Sequence, residues 1–256
     1  MNGPRTEILK KLDHAKLNNP VAIVGLPGIA MVGKGAVLSI AESLKAEKVA
    51  LIFYHDFPAQ VAVGADGKLH VPRSTIYFWK NPKGVNDLFI ISGDFQPTTS
   101  LGIFVFSDYI SNFCKSHGVK TIVSTGAYVT ENVSSEPSIF VSSTSRELLD
   151  VFTKLEQCKV MGEGVIMGAN GIIPAWGKAK YGIDGVCLLA ETMPILATDP
   201  KASRAIVDIL GKWFNIGIDV SALDKQIVTM ERAFEKLRGR LDKRIPEGSD
   251  RQSYIS

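Results

Sequence analysis

The chain contains 256 residues, of which 45% are hydrophobic and 21% are charged. This size and composition suit one domain with a large apolar core and exclude a disordered or fibrous protein. The 29 basic and 26 acidic residues leave a formal net charge of +3, too small to predict nucleic acid or an anionic membrane as a partner.

Six short apolar segments, bounded by glycine, proline or aspartate, are predicted to be core strands. Helical patterns separate several of them, and this alternation predicts an α/β fold with a mixed, mainly parallel sheet covered by helices on both faces. A hairpin or antiparallel edge is predicted over 60–79, around the turn signal Asp66-Gly67. The predicted strands are 21–24, 49–53, 87–92, 121–124, 164–167 and 185–190, and the predicted helices are 34–45, 102–117, 145–155 and 200–214.

The stretch from Gly168 to Ser203 is predicted to be a loop, a buried strand and the start of a helix. Its segment 185–190 is apolar enough for a strand that is covered on both faces. Asp199-Pro200 then supplies the N-cap and the first-turn proline of a helix. Glu191 is the one residue of this stretch that suggests chemistry.

The chain changes character at Asp219. Ser221 can cap a helix over 222–243, in which an apolar stripe alternates four- and three-residue steps, as a coiled-coil seam does. The stripe packs either on the protein's own core or on another chain, and the sequence leaves both alternatives open. The stripe consists of Leu223, Ile227, Met230, Phe234, Leu237 and Leu241. We therefore predict an α/β domain over 1–218, an amphipathic helix over 219–245 and a flexible tail over 246–256.

The three cysteines, Cys114, Cys158 and Cys187, are odd in number and widely separated, which argues against a disulfide framework or a zinc site. They indicate a reducing compartment. The N-terminal segment is charged, and no run of about 18 uncharged apolar residues occurs in the chain. We predict a cytoplasmic protein that binds neither metal nor membrane.

The segment from Gly28 to Lys34 matches the first seven positions of a phosphate-binding loop and follows a predicted strand, as that motif requires. Gly35 breaks the match, because it stands where a Ser or Thr hydroxyl would hold magnesium. Ile29 and Met31 are also unusually apolar for a loop around a triphosphate. The pattern therefore favours a structural turn, in which glycine lets the chain bend and pack closely.

Two carboxylates, Asp94 and Glu191, lie next to predicted strands and belong at the carboxyl edge of the sheet, where ligands of such folds usually bind. With Gly28 and Lys34 they define a candidate crevice for an anionic small molecule. The alternative, which these residues favour, is that Asp94 caps a turn and Glu191 accepts hydrogen bonds from loop amides. Because no hydroxyl, histidine or metal set accompanies them, we predict no catalytic residues and no cofactor.

Several unusual blocks resemble a known family: GLPGIAMVGK, HDFPAQV, DGKLHVP, ISGDFQP, STGAY, GANGII, GVCLLAET and DPKAS. In this order they resemble the PAC2 family of proteasome assembly chaperone homologues, in particular its archaeal members, over about residues 18–240. The resemblance implies a three-layer α/β domain similar to nucleoside phosphorylases, a C-terminal helical extension, self-association and no established catalytic activity. It implies proteasome α-subunits as partners and leaves open whether a second PAC2 homologue completes the assembly.

Family members that serve the proteasome carry a tail that ends in a hydrophobic residue, a tyrosine and any residue, and that docks between neighbouring α-subunits. The aromatic ring anchors the tail, and the terminal carboxylate pairs with a lysine. Here the corresponding residues are Tyr254, Ile255 and Ser256, so Ile255 occupies the tyrosine position and the tyrosine comes one place early. This departure leaves open a shifted register that still binds, another partner, or a tail without a role.

The sequence thus predicts a noncatalytic, chaperone-like protein that oligomerises and binds proteasome α-subunits. The alternative function is a small-molecule-binding protein or enzyme that uses the candidate crevice. One further candidate for catalysis is the pair Cys114 and His117, which lie three residues apart on a predicted helix. The apolar neighbours of Cys114 favour a core thiol over a nucleophile.

Overall fold

A mixed nine-stranded sheet with helices on both faces forms the framework of the computed structural model, which describes residues 3–242 and the side chains of residues 3–236. In chain order the strands are β1 (Arg5–Ile8), β2 (Val21–Gly25), β3 (Glu47–Phe53), β4 (Ala62–Val63), β5 (Leu69–His70), β6 (Ser74–Trp79), β7 (Leu88–Gly93), β8 (Thr121–Val129), β9 (Ile139–Ser143), β10 (Cys158–Val160) and β11 (Asp184–Thr192). The helices are α1 (Val32–Ser43), α2 (Ser100–Ser116), α3 (Arg146–Thr153), α4 (Ala169–Tyr181), α5 (Pro200–Phe214) and α6 (Ser221–Asp242).

The strand order in the large sheet is β1-β3-β6-β7-β2-β8-β11-β9-β10. The four central strands, β7, β2, β8 and β11, are parallel to one another. On one side β6, β3 and β1 continue the sheet in antiparallel fashion, and on the other side β9 is antiparallel to β11. The sheet is therefore mixed with a parallel centre, and the carboxyl ends of its central strands share one edge, the carboxyl edge.

Alternate residues of the central strands supply two apolar cores, one on each face of the sheet. In β2, Val21 and Ile23 join the core under α1, α3 and α5, whereas Ala22 and Val24 join the core under α2 and α4. All five residues of β2 are buried, as expected for a parallel strand covered on both faces. This confirms the three-layer α/β fold that the sequence predicted.

Most predicted elements are present. The helix predicted over 200–214 has these bounds, and its N-cap Asp199 accepts a hydrogen bond from Ala202 N at 2.9 Å. The antiparallel segment predicted over 60–79 contains β4, β5 and β6, with Gly67 at a φ of 77° in the turn between β4 and β5. These elements carry strong local signals, namely a capping aspartate and a turn glycine.

Two predictions about the segment before β11 were wrong. The apolar residues of 164–167 form no strand, and Val165 and Met167 are the most exposed of the large hydrophobic residues described. The stretch after Gly168, predicted to begin as a loop, folds into α4, although Pro174 lies inside the helix. Glycine and proline weaken a helical pattern, so here tertiary packing overrides local propensity.

The cysteines are thiols, and no helix within residues 3–242 is both long and apolar enough to cross a membrane. Cys114 is fully buried, and burial raises its pKa to about 12. A thiol with so high a pKa is not a nucleophile at neutral pH. The structure therefore supports the interpretation of Cys114 as a core residue.

A stacked pair of imidazole rings lies where α2 ends. The ring centroids of His14 and His117 are 4.4 Å apart, and His117 also stacks on Phe113 at 4.1 Å. Burial, reinforced by the charge of His14, lowers the pKa of His117, against the opposing effect of its hydrogen bond to the Phe113 carbonyl. Lys10 and Lys11 line the cavity beside the two rings and add further positive charge.

We expect stability to fall as the pH is lowered below about 6.5, the ordinary histidine pKa, because the unfolded chain then binds a proton that folded His117 resists. His117→Phe, which keeps an aromatic ring in the stack, should flatten this dependence between pH 7 and pH 5. Urea unfolding midpoints across that range measure it. The control is His55→Phe at an exposed histidine, which should retain the wild-type slope; equal slopes for both variants would contradict the assignment.

Candidate functional site

The glycine-rich turn after β2 is required by close packing between β2, α1 and β8. A Cβ atom on Gly25 would lie 2.2 Å from the carbonyl oxygen of Gly33, and one on Gly33 would lie 2.2 Å from the carbonyl oxygen of Thr125. The Thr125 hydroxyl lies 3.1 Å from the Val24 carbonyl oxygen and 3.2 Å from that of Gly33. These glycines therefore serve as contact points between backbones.

The turn reaches α1 through two consecutive non-glycine residues in the left-handed region. Ala30 and Met31 have φ values of 49° and 51°. Such residues are uncommon and persist where neighbouring structure fixes them. The start of α5 supplies this support, because Asp199 N donates to the Ala30 carbonyl at 2.8 Å and the Ser203 hydroxyl donates to the Val32 carbonyl at 3.1 Å.

Two side-chain amides tie the turn to its neighbours. Gln96 donates to the Pro27 carbonyl at 2.6 Å and accepts from Ala169 N at 2.8 Å. Asn170 makes a double contact with the backbone of Leu26, accepting at 3.1 Å and donating at 3.2 Å. The loops after β2 and β7 and the start of α4 therefore form one rigid unit. Sequence reasoning did not assign these two residues a role, although both lie inside the blocks that resemble the PAC2 family.

The four residues of the candidate crevice lie at or near the carboxyl edge, but their described contacts lead in different directions. Asp94 accepts from Arg73 N at 3.1 Å, on the β6 side of the sheet. Glu191 is buried and accepts from Ser138 N at 3.0 Å, on the β9 side. Two strands, β2 and β8, lie between β7 and β11, so the strands that carry the carboxylates are about 14 Å apart.

The other two crevice residues are Gly28 and Lys34. Gly28 is exposed in the turn, and the nearest atom to a Cβ added there is the Gln96 amide nitrogen at 3.8 Å. Lys34 lies in the first turn of α1 and is partly buried. No hydrogen bond among the described residues joins any two of the four, and residues 3–242 contain no cluster of three His, Cys, Asp or Glu side chains suited to a metal. A ligand in this crevice remains a prediction.

Three loops at or near the carboxyl edge carry exposed large apolar side chains, which are together called the apolar edge. Its side chains are between 42% and 86% exposed. They come from the glycine-rich turn, the segment before α4 and the loop after β11, and they are Ile29, Met31, Val165, Met167 and Ile195. Large apolar side chains grouped at one end of a molecule are typical of a protein-binding surface.

The apolar stripe of α6 changes its environment along the helix. Leu223 is buried in the core beside α5, and Asp224 forms an ion pair with Arg204 of α5. Further along, Met230 lines a groove with Thr198 and Pro200, at the start of α5. Phe234 is 36% exposed. The helix therefore leaves its own core in the direction of the carboxyl edge.

The stripe residues Leu237 and Leu241 lie within α6, but the structure describes side chains only as far as residue 236. The predicted binding tail, Tyr254, Ile255 and Ser256, lies outside the described residues. The beginning of the stripe belongs to the protein's own core through Leu223. Whether its later part forms an intermolecular seam stays a prediction.

The layers, the tied loops and the apolar edge define a three-layer α/β protein with a C-terminal helix that extends past its carboxyl edge. The chain belongs to the PAC2 family, whose model matches residues 22–238. The resemblance seen in the sequence blocks is therefore confirmed. Uncharacterized protein MJ1210 of Methanocaldococcus jannaschii is 29% identical over 229 residues, which cover 90% of this chain and 87% of that protein.

Solved structures share the fold. The chain is similar to Pyrococcus furiosus PbaB, an archaeal proteasome activator, with a TM-score of 0.85 and 29% identity over 93% of this chain and 100% of that chain. It also aligns with Pyrococcus furiosus PbaA, an archaeal homolog of proteasome-assembly chaperone, with a TM-score of 0.74 and 19% identity over 94% of each chain. The second likeness shows the fold alone.

The packing role of the glycines predicts the effect of adding one methyl group. Gly33→Ala should lower the free energy of unfolding by about 1–3 kcal/mol, because the new Cβ meets the Thr125 backbone, which cannot rotate away. Gly28→Ala is the matched control and should change it by less than about 0.5 kcal/mol, since that Cβ would lie no closer than 3.8 Å to its neighbours, an ordinary van der Waals contact. Urea unfolding measures both, and a Gly33→Ala variant as stable as the wild type would contradict the packing role.

Proposed function

We propose that this protein is a noncatalytic, proteasome assembly chaperone-like protein that self-associates and binds proteasome α-subunits. The apolar edge, next to a helix that extends past it, is the observation that carries the proposal. The descriptions of PbaB as a proteasome activator and of PbaA as a homolog of proteasome-assembly chaperone support the kind of partner. A cytoplasmic location is part of the proposal and agrees with three free cysteines.

The apolar edge suits a protein partner because one of its loops, the glycine-rich turn with Ile29 and Met31, is fixed before binding. Gln96 and Asn170 hold the turn, and Asp199 and Ser203 hold its far end, so little conformational entropy is lost when a partner covers the exposed side chains. The two carboxylates of the candidate crevice are occupied by backbone amides, and this favours binding over catalysis.

We propose that the chain has three functional segments: an α/β body over 1–218, a helix over 219–245 and a tail over 246–256. Self-association through α6 would place several tails on one assembly. When linkers span the sites, tails that bind weakly one at a time gain about two orders of magnitude or more in avidity on a symmetric ring. A second PAC2 homologue in the same assembly is compatible with this arrangement.

The tail prediction is tested with full-length protein and immobilised proteasome α-subunits from the same source. Deleting 254–256, or Tyr254→Ala, should weaken binding about tenfold or more, because an aromatic anchor carries much of the affinity of a short peptide. Tyr254→Phe is the matched control and should retain most of the binding. Biolayer interferometry measures all four proteins, and binding that survives the deletion unchanged would rule out the tail as the anchor.

The helix prediction is tested with Phe234→Asp, which places a charge in the stripe beyond the part that contacts the protein's own core. It should dissociate the assembly, because an unpaired charge would be buried in an apolar seam. Val228→Asp is the control, since Val228 is also exposed but lies off the stripe. Sedimentation velocity gives the masses, and an unchanged mass for Phe234→Asp would contradict a seam in α6.

A further inference from the structure

β1 is the outermost strand on one side of the large sheet, and among the described residues only β3 pairs with it. Its register with β3 places Arg5 opposite Phe53 and Glu7 opposite Leu51. Three of its four residues, Arg5, Glu7 and Ile8, are exposed. An open edge of this kind offers backbone donors and acceptors to another strand.

The hydrogen-bonding pattern between β1 and β3 determines which backbone N–H and C=O groups of β1 point away from β3. Leu9, one residue after the strand, donates to the Val49 carbonyl at 2.9 Å and continues the register of β1 and β3. Because bonded and non-bonded pairs alternate in an antiparallel ladder, Arg5 and Glu7 also direct their backbone groups toward β3. Thr6 and Ile8 therefore direct their N–H and C=O groups away from the sheet.

This pattern allows β1 to pair with β1 of a second copy around a two-fold axis at Thr6. Thr6 would exchange both backbone hydrogen bonds with Thr6 of the second copy, and Ile8 would donate to the carbonyl of Pro4. Pro4 has no N–H, so one fewer donor is available at each end. Ile8, which is 55% exposed, would then be covered by the ring of Pro4.

The charges select this register over its neighbours. With Thr6 opposite Thr6, each Arg5 faces Glu7 of the second copy in a non-hydrogen-bonded pair, where opposing side chains are closest. A shift by one step of the ladder would place Arg5 opposite Arg5 or Glu7 opposite Glu7. In the described part of the chain, neither Arg5 nor Glu7 forms an ion pair.

A groove beside the same strand adds apolar surface to this edge. It has a volume of about 740 Å³, begins at Gly3 and Arg5, and continues along Tyr54, Phe57 and Val61. Val61 is exposed, as are β4 and Leu69 of β5 in the hairpin that follows it. Surface of this kind next to the open strand enlarges the area that a second copy could bury beyond the four residues of β1.

We propose that two copies of this chain associate through antiparallel β1–β1 pairing, with Thr6 opposite Thr6 and Arg5 opposite Glu7, so that their two sheets become one. The inference rests on the self-association proposed above and adds a second contact surface to that of α6. The occupant of the edge is a second copy because the strand is complementary to itself in charge and in backbone hydrogen bonding.

Charge exchange tests the pairing in the full-length chain. Arg5→Glu puts acidic side chains opposite each other, and Glu7→Arg does the same with basic ones, so each single variant should weaken self-association about tenfold or more. The double exchange restores opposite charges and should restore the association. An equimolar mixture of the two single variants should associate more tightly than either alone, because position 5 of one chain then faces the opposite charge at position 7 of the other.

Sedimentation velocity at low ionic strength, where the ion pairs are least screened, measures the masses of all samples. Circular dichroism checks folding, which these exposed positions should not disturb. Wild-type protein that is monomeric at every concentration, single variants with unchanged mass, or a mixture no tighter than its components would each overturn the proposal. If Phe234→Asp dissociates the protein while the β1 variants do not, association through α6 stands and the edge pairing is wrong.

Discussion

The close approach of α1 to the sheet at Gly25, Gly33 and Thr125 is the contact on which the carboxyl edge depends. Backbone atoms meet there with no room for a side chain, so the start of α1 has one position. That position fixes the turn after β2, forces Ala30 and Met31 into left-handed backbone, and leaves Ile29 pointing to solvent. The start of α5 fastens the same turn through Asp199, so the exposed surface is set by buried contacts.

The sequence predicted the layers because their signals are local. Apolar runs and helical periodicity identified the central strands and α5, and the blocks identified the family. The prediction failed at α4, whose Pro174 and Gly177 are poor helix formers, although glycine at 177 and at 185 lets the helix and the sheet lie close together. A Cβ on Gly185 of β11 would meet the Pro174 carbonyl oxygen at 2.6 Å. Helix propensity does not include the stabilisation from this close packing, because the packing arises only when the helix and the strand meet.

At the candidate site, the sequence placed both carboxylates at the correct edge but could not give their directions. Asp94 turns to Arg73 and Glu191 turns to Ser138, and both partners lie on antiparallel flanks that pair at long range. The exposed segment 164–167 was wrongly predicted to be a core strand for a similar reason, because an apolar run in the sequence looks the same whether it is buried in a core or exposed on a surface. No sequence motif marks Gln96 or Asn170, because their role, bonding to the backbone of the turn after β2, exists only when the loops are brought together in the fold.

The proposed surfaces have different consequences for assembly. Pairing through β1 is isologous, so it closes when two copies have joined and leaves no open edge on that side. A larger assembly needs a second interface, and α6 is suited to this because it leaves its own core in the direction of the carboxyl edge. In the proposed assembly the charges of β1 would fix the register of one contact, whereas the apolar stripe of α6 would supply burial at the other. Together the two contacts would hold several apolar edges in a defined geometry, which is the arrangement that a symmetric ring of partners can engage at several points.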